Sequence, residues 1–84
     1  MDDEYLKKRL LRKFYLHNAW GKHHFREDTL IKGFPPHLKH RIKTIAEELR
    51  GKNLLIKFPT AHGMQWYANI EKIKEIEEII LSKD

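Results

Sequence analysis

Apolar residues recur three and four positions apart in much of the chain, which is the spacing of an amphipathic helix. Leu6, Leu10 and Phe14, for example, follow one another at intervals of four. Pro35 and Pro36 mark a boundary, because proline stops one helix and suits the first turn of the next. The pattern predicts four helices, over residues 5–18, 27–34, 37–50 and 70–82.

The region between the third and fourth helices has a two-residue periodicity instead. Leu54, Ile56 and Phe58 alternate along a predicted strand, and a glycine-containing turn leads into a second strand. The predicted hairpin covers residues 54–68, with Pro59 at an edge because proline cannot donate a ladder hydrogen bond. The order of helix, short connection, two helices, hairpin and helix predicts an α+β fold that is mainly α.

The size and composition of the chain favour one small domain over residues 1–84. Eighty-four residues are too few for two ordinary domains. There is no cysteine, which excludes disulfides, thiolate metal sites and a cysteine nucleophile. No apolar run approaches the roughly 18 residues that a membrane span requires, and the acidic start is unlike a signal peptide. We therefore expect a cytoplasmic protein that does not associate with membranes.

The net charge of +5 is distributed unevenly along the chain. Residues 5–44 contain eleven lysines and arginines but only two acids, whereas residues 45–84 contain six bases and seven acids. A basic half joined to a nearly neutral half indicates one surface that faces a polyanion and another with a separate role. The alternative is a solvated basic face that binds nothing.

These elements together resemble the winged helix-turn-helix family, over nearly the whole chain. Residues 30–34 resemble the helix before the turn, the two prolines resemble the turn, and residues 37–50 resemble the recognition helix. Residues 54–68 resemble the wing, with its tip at residues 60–63. The resemblance implies a three-helix core, a β-hairpin wing and an extra C-terminal helix. It also implies a transcription regulator whose helix 37–50 reads the major groove of double-stranded DNA.

The polar side of that helix carries the side chains that such a role requires. Lysine and arginine donate to phosphates or guanine edges, histidine donates to phosphates, and threonine contacts phosphate or a thymine methyl. Glu47 either accepts from cytosine or pairs with Lys43, four residues earlier. Including the wing, the expected nucleic-acid-binding residues are His37, Lys39, His40, Arg41, Lys43, Thr44, Lys57, His62 and Gln65.

Other functions are open to the same fold. A winged-helix module that binds RNA, the ribosome or a protein partner would use the basic side of the first helix, which carries Lys7, Lys8, Arg12 and Lys13. An enzyme is not expected, because the sequence has no nucleophile with a base and an orienting group and no glycine-rich phosphate loop. No cofactor or metal is expected either, since the paired histidines lack further ligands nearby.

The last predicted helix has more apolar surface than one small domain needs to cover. Its apolar arc spans about 200°, against the roughly 100° of an ordinary amphipathic helix. We therefore expect a homodimer, which would place two reading helices about 34 Å apart on successive major grooves. The alternative is a helix lodged deeply in its own core. The isoleucines that the dimer would use are Ile70, Ile73, Ile76, Ile79 and Ile80.

Overall fold

Four α-helices and a three-stranded antiparallel sheet make up the computed structural model, which describes residues 2–82. The fold is therefore α+β, with 57% of the residues in helices, as predicted. None of the helices within residues 2–82 is long and apolar enough to cross a membrane. In chain order the elements are α1 (Asp3–Leu16), β1 (Phe25–Arg26), α2 (Glu27–Leu30), α3 (Lys39–Gly51), β2 (Leu55–Thr60), β3 (Gly63–Ala68) and α4 (Ile73–Leu81).

Short polar residues lie at the start of α1 and just beyond the ends of α1 and α3. Asp2 caps α1, because its carboxylate accepts a hydrogen bond of 2.9 Å from the backbone N–H of Tyr5. Asn18 follows α1 in the left-handed conformation, with φ of 51°. The sequence favours Gly51 as the end of α3, but Gly51 is helical and Asn53 turns the chain, with φ of 63°.

The second helix is shorter than the sequence pattern predicts. It ends at Leu30 rather than near residue 34, and Gly33 then adopts a positive φ of 89°. A single 3₁₀ turn at Pro36–Leu38 leads directly into α3. The two prolines explain this arrangement, since residue 34 precedes a proline and is disfavoured in helical geometry. The predicted helix over residues 70–82 likewise begins as a 3₁₀ turn, Ile70–Lys72, which Asn69 caps.

The sheet has the strand order β1-β3-β2, so β3 lies in the centre. Pro59 is on the edge strand β2, as predicted, opposite Met64. Lys57 and Phe25 both lie opposite Trp66, which places them on the sheet face that packs against the helices. Phe58 lies opposite Gln65 on the outer face.

The hydrophobic core gathers side chains from all four helices and from the sheet. Leu10 and Phe14 of α1 and Trp66 of β3 are among its largest fully buried members. Ile76 and Ile80 of α4 also belong to this core, so their side chains are covered within one chain. A homodimer that uses all five isoleucines is therefore not compatible with this packing. Of the five, only Ile70, Ile73 and Ile79 keep surface that a partner could contact.

Two leucines on the same helix test this description of the core. Leu10 is fully buried, whereas 70% of Leu16 is exposed. We expect Leu10→Ala to lower the free energy of unfolding by about 2–5 kcal/mol, because it leaves a cavity in a small core. The control Leu16→Ala should change it by no more than about 0.5 kcal/mol. Urea denaturation of dilute protein measures both; equal effects would contradict the assigned packing of α1.

Candidate nucleic-acid interface

The exposed side of α3 carries most of the residues expected to bind nucleic acid. The opposite side of the helix is anchored in the core through Ile42, Ile45 and Leu49, at helical spacing. This anchoring leaves one polar face directed at solvent. On that face, or in the turn before it, the following residues are all exposed: His37, Lys39, His40, Arg41, Lys43 and Thr44.

Lys39 and Lys43 are one helical turn apart on this face. Within the part of the chain that the structure describes, neither ammonium group has an ion-pair or hydrogen-bond partner. Thr44, in contrast, donates its hydroxyl hydrogen back to the carbonyl of His40, at 3.1 Å. The two lysines are therefore the positive charges of α3 that are most available to a ligand.

Arg41 points in another direction. Its guanidinium pairs with the carboxylate of Asp3, at the start of α1. Both side chains are about half exposed, so the pair is solvated and contributes little to stability. Arg41 would have to leave Asp3 to contact a ligand, which distinguishes it from Lys39 and Lys43.

Glu47 neither faces solvent freely nor pairs with Lys43. Its two carboxylate oxygens accept hydrogen bonds from Lys57 at 2.8 Å and from Arg50 at 2.7 Å. The hydrogen bond from Lys57, followed by that from Arg50, lowers the pKa of the Glu47 carboxyl. The tertiary structure thus brings in Lys57 from the hairpin as a partner that helix spacing alone does not reveal.

Lys57 connects three parts of the fold. Besides Glu47, its ammonium lies 3.7 Å from the carboxylate of Glu27, at the start of α2. It also lies 5.3 Å from the centroid of the Trp66 ring, and the Trp66 indole N–H donates to Glu27 at 3.4 Å. The sequence predicts that Lys57 binds nucleic acid. In the structure its ammonium instead contacts Glu47 of α3, Glu27 of α2 and Trp66 of the hairpin, and so links these three parts of the fold.

Gln65 also departs from the expected role. Its side chain is only 4% exposed, and its carbonyl oxygen lies 3.1 Å from the His24 Nδ1. The physical reason is its place in β3, the central strand, where neighbouring strands flank it on both sides. A period-two pattern assigns Gln65 to a sheet face but does not reveal what covers that face.

The tip of the hairpin presents His62 to solvent. The Thr60 hydroxyl donates to the carbonyl of Gly63 at 2.7 Å and accepts from the N–H of His62 at 3.1 Å. These bonds close the turn and leave the imidazole of His62 exposed. His62 is therefore accessible, and its contact with nucleic acid stays a prediction.

The cations of α1 are largely engaged with backbone carbonyls. Lys8 donates to Ser82 at 2.8 Å, and Arg9 donates to Gly33 at 3.0 Å. Lys13 donates to the carbonyls of Thr29 and Lys32, around the end of α2. Burial, and secondarily the charge of Lys32, lowers the pKa of Lys13. Lys8, Arg9 and Lys13 thus fasten neighbouring segments, whereas Lys7 pairs with Glu4 of the same helix and Arg12 is exposed.

No three histidine, aspartate or glutamate side chains within residues 2–82 come together to hold a metal ion. Comparison with known proteins found no matching family, no similar curated protein and no similar solved structure. The function is therefore inferred from the geometry and the charge of the described residues.

The pairing of Glu47 predicts a pH-dependent stability. Because its pKa is lower in the folded chain, the pairing stabilises the fold at neutral pH and is lost as the pH falls through the folded pKa. Glu47→Gln should lower the free energy of unfolding at neutral pH by up to about 1 kcal/mol. The difference from the unmodified protein should shrink progressively in acid.

Urea denaturation at several pH values measures this difference. The matched control is Glu48→Gln, because Glu48 is exposed on the same helix and makes no ion pair within residues 2–82. A constant difference between the Glu47 variant and the unmodified protein across the pH range would refute the assigned pairing.

Proposed function

We propose that this chain is a winged-helix protein that binds double-stranded DNA and acts as a transcription regulator. α3 would enter the major groove, and the hairpin tip would contact the adjacent backbone. The observation that carries the proposal is the pair Lys39 and Lys43, which have no partner within residues 2–82 and lie on the exposed face of a helix whose other face is anchored in the core.

The order of elements supports the winged-helix part of the proposal. α1, β1, α2 and α3 are followed by the β2–β3 hairpin, and β1 pairs with β3 to complete a small sheet. Eight residues, 31–38, separate α2 from α3, which is more than the 3–4-residue turn of an ordinary helix-turn-helix unit, and the last three of them form the 3₁₀ turn Pro36–Leu38. α3 has 13 residues and is thus about 20 Å long. The major groove, about 12 Å wide, accepts one such helix.

The distribution of available charge favours α3 over α1 as the binding surface. Lys8, Arg9 and Lys13 of α1 donate to carbonyls of the same chain, whereas Lys39 and Lys43 do not. A phosphate approaching α1 would compete with those hydrogen bonds. A phosphate approaching α3 meets cations that are exposed and without partners among the described residues, together with the imidazole of His40.

Binding of RNA is the second candidate, and the outer face of the sheet favours it. The rings of Phe58 and Tyr67 are 5.4 Å apart there, and the His24 ring is 5.5 Å from Phe58. Aromatic side chains on an open sheet face can stack with unpaired bases. Their edge-on packing against one another weakens this candidate, because it occupies part of each ring.

Duplex titration at several salt concentrations tests the DNA proposal. If about five phosphates are neutralised, the logarithm of the binding constant should fall against the logarithm of salt concentration with a slope near −4.5. Lys39→Ala or Lys43→Ala should weaken binding to all duplexes and reduce the magnitude of that slope by about 1.

Lys52→Ala is the matched control. Lys52 is also exposed but follows the far end of α3, about 20 Å along the helix from Lys39. Its replacement should leave the slope nearly unchanged. A flat salt response, or equal effects of the three substitutions, would disprove the proposed use of α3. Tighter binding of single-stranded RNA that Phe58→Ala abolishes would support the second candidate instead.

A further inference from the structure

Large hydrophobic side chains are exposed at both ends of α4. Ile70 precedes the helix and is 51% exposed, and Leu81 ends it and is 78% exposed. Leu16, at the end of α1, is 70% exposed. Apart from Tyr5, these are the large hydrophobic residues within residues 2–82 that solvent reaches most. Burial of such side chains against a partner is favourable, so each of them is a candidate contact residue of an interaction surface.

Leu16 and Leu81 line two separate depressions, and Ile80 takes part in both. Ile80 lines a groove along α1 together with Leu16. It also lines a cavity of about 60 Å³ together with Leu81 and Tyr15. Ile80 itself belongs to the core and is almost completely buried.

The charges along α4 are arranged asymmetrically. Ile73–Leu81 contains one base and three acids: Lys74 and Glu75 lie side by side near the start, whereas Glu77 and Glu78 lie near the end without a base beside them. Two such helices packed in parallel would place like charges together. Packed antiparallel, they would place Lys74 of each helix beside the acidic end of the other.

We infer that a second copy of this chain covers the outer side of α4, with the two α4 helices antiparallel about a two-fold axis. Ile70 of each copy then lies against Leu81 and Leu16 of the other. Lys74 and Glu78 fit the same register, because Lys74 follows Ile70 by four residues and Glu78 precedes Leu81 by three. In a two-fold interface every such contact occurs twice.

This interface differs from the one that the isoleucine pattern predicts. Ile76 and Ile80 are within the core of one chain, and Ile73 and Ile79 are partly covered. A second copy is favoured over another partner because this face is complementary to itself: Lys74 of one copy can meet Glu78 of the other, and Ile70 of one copy can meet Leu81 of the other. A stable dimer would bury about 800 Å² of each chain, out of a total accessible surface of 5621 Å².

Sedimentation of the full chain without DNA tests the inference independently of the proposed function. We expect a monomer–dimer equilibrium at micromolar concentrations. Lys74→Glu or Glu78→Lys alone should weaken the dimer by about tenfold or more, because each places like charges at two symmetric contacts. The double exchange, Lys74→Glu with Glu78→Lys, should restore it, since the opposite charges then meet again.

The control Glu48→Lys makes the same change of charge on α3 and should leave the equilibrium unchanged. Leu81→Ser should weaken the dimer without loss of helix content, which circular dichroism measures. A chain that remains monomeric at high micromolar concentration overturns the inference. A dimer that survives both single charge reversals, or that the double exchange fails to restore, overturns the antiparallel arrangement of α4.

Discussion

The contact of Lys57 with Glu47 and Trp66 is the interaction on which the arrangement of α3 and the hairpin depends. It joins a strand to a helix through a hydrogen bond of 2.8 Å beside the largest aromatic ring of the core. Glu27 extends the contact to α2. The Lys57 side chain is only 23% exposed, and a lysine covered to this extent needs such partners, because burying an unpaired charge is costly. The angle between α3 and the hairpin is therefore constrained by the hydrogen-bonded ion pair of Lys57 and Glu47 as well as by hydrophobic packing.

A small protein has to use its charged residues for structure as well as for binding. At this size the core is limited, so the long side chains of α1 contribute by covering and fastening neighbouring segments. Lys13 illustrates this use, since it lies 5.5 Å from the Phe25 ring centroid and donates to carbonyls at the end of α2. A count of basic residues overestimates the surface available to a polyanion, because such lysines already have partners.

The parts of the fold that follow from local chemistry were predicted well. Helical periodicity located α1, α3 and α4, because that pattern reflects which side of a helix is buried. Alternation located the hairpin, although Ile56 and Phe58 of the alternating set lie on the outer face of the sheet and not on the face that packs against the helices. The end of α2 was predicted less well, since the pattern continued through Gly33 to Phe34 although Pro35 opposes helical geometry there. The contacts of Glu47 with Lys57 and of Gln65 with His24 could not be predicted, because each joins two different segments of the chain.

The sequence by itself determined the classes of element, the position of Pro59 on an edge, and the exposed basic face of α3. Each of these depends on residues close together in the chain, whose geometry is set by spacing and backbone chemistry. Only the tertiary structure decided that Lys57 and Gln65 are engaged within the protein and that α4 buries Ile76 while exposing Leu81. Those outcomes depend on which surfaces meet, and α1 and α4 meet across more than fifty residues of chain.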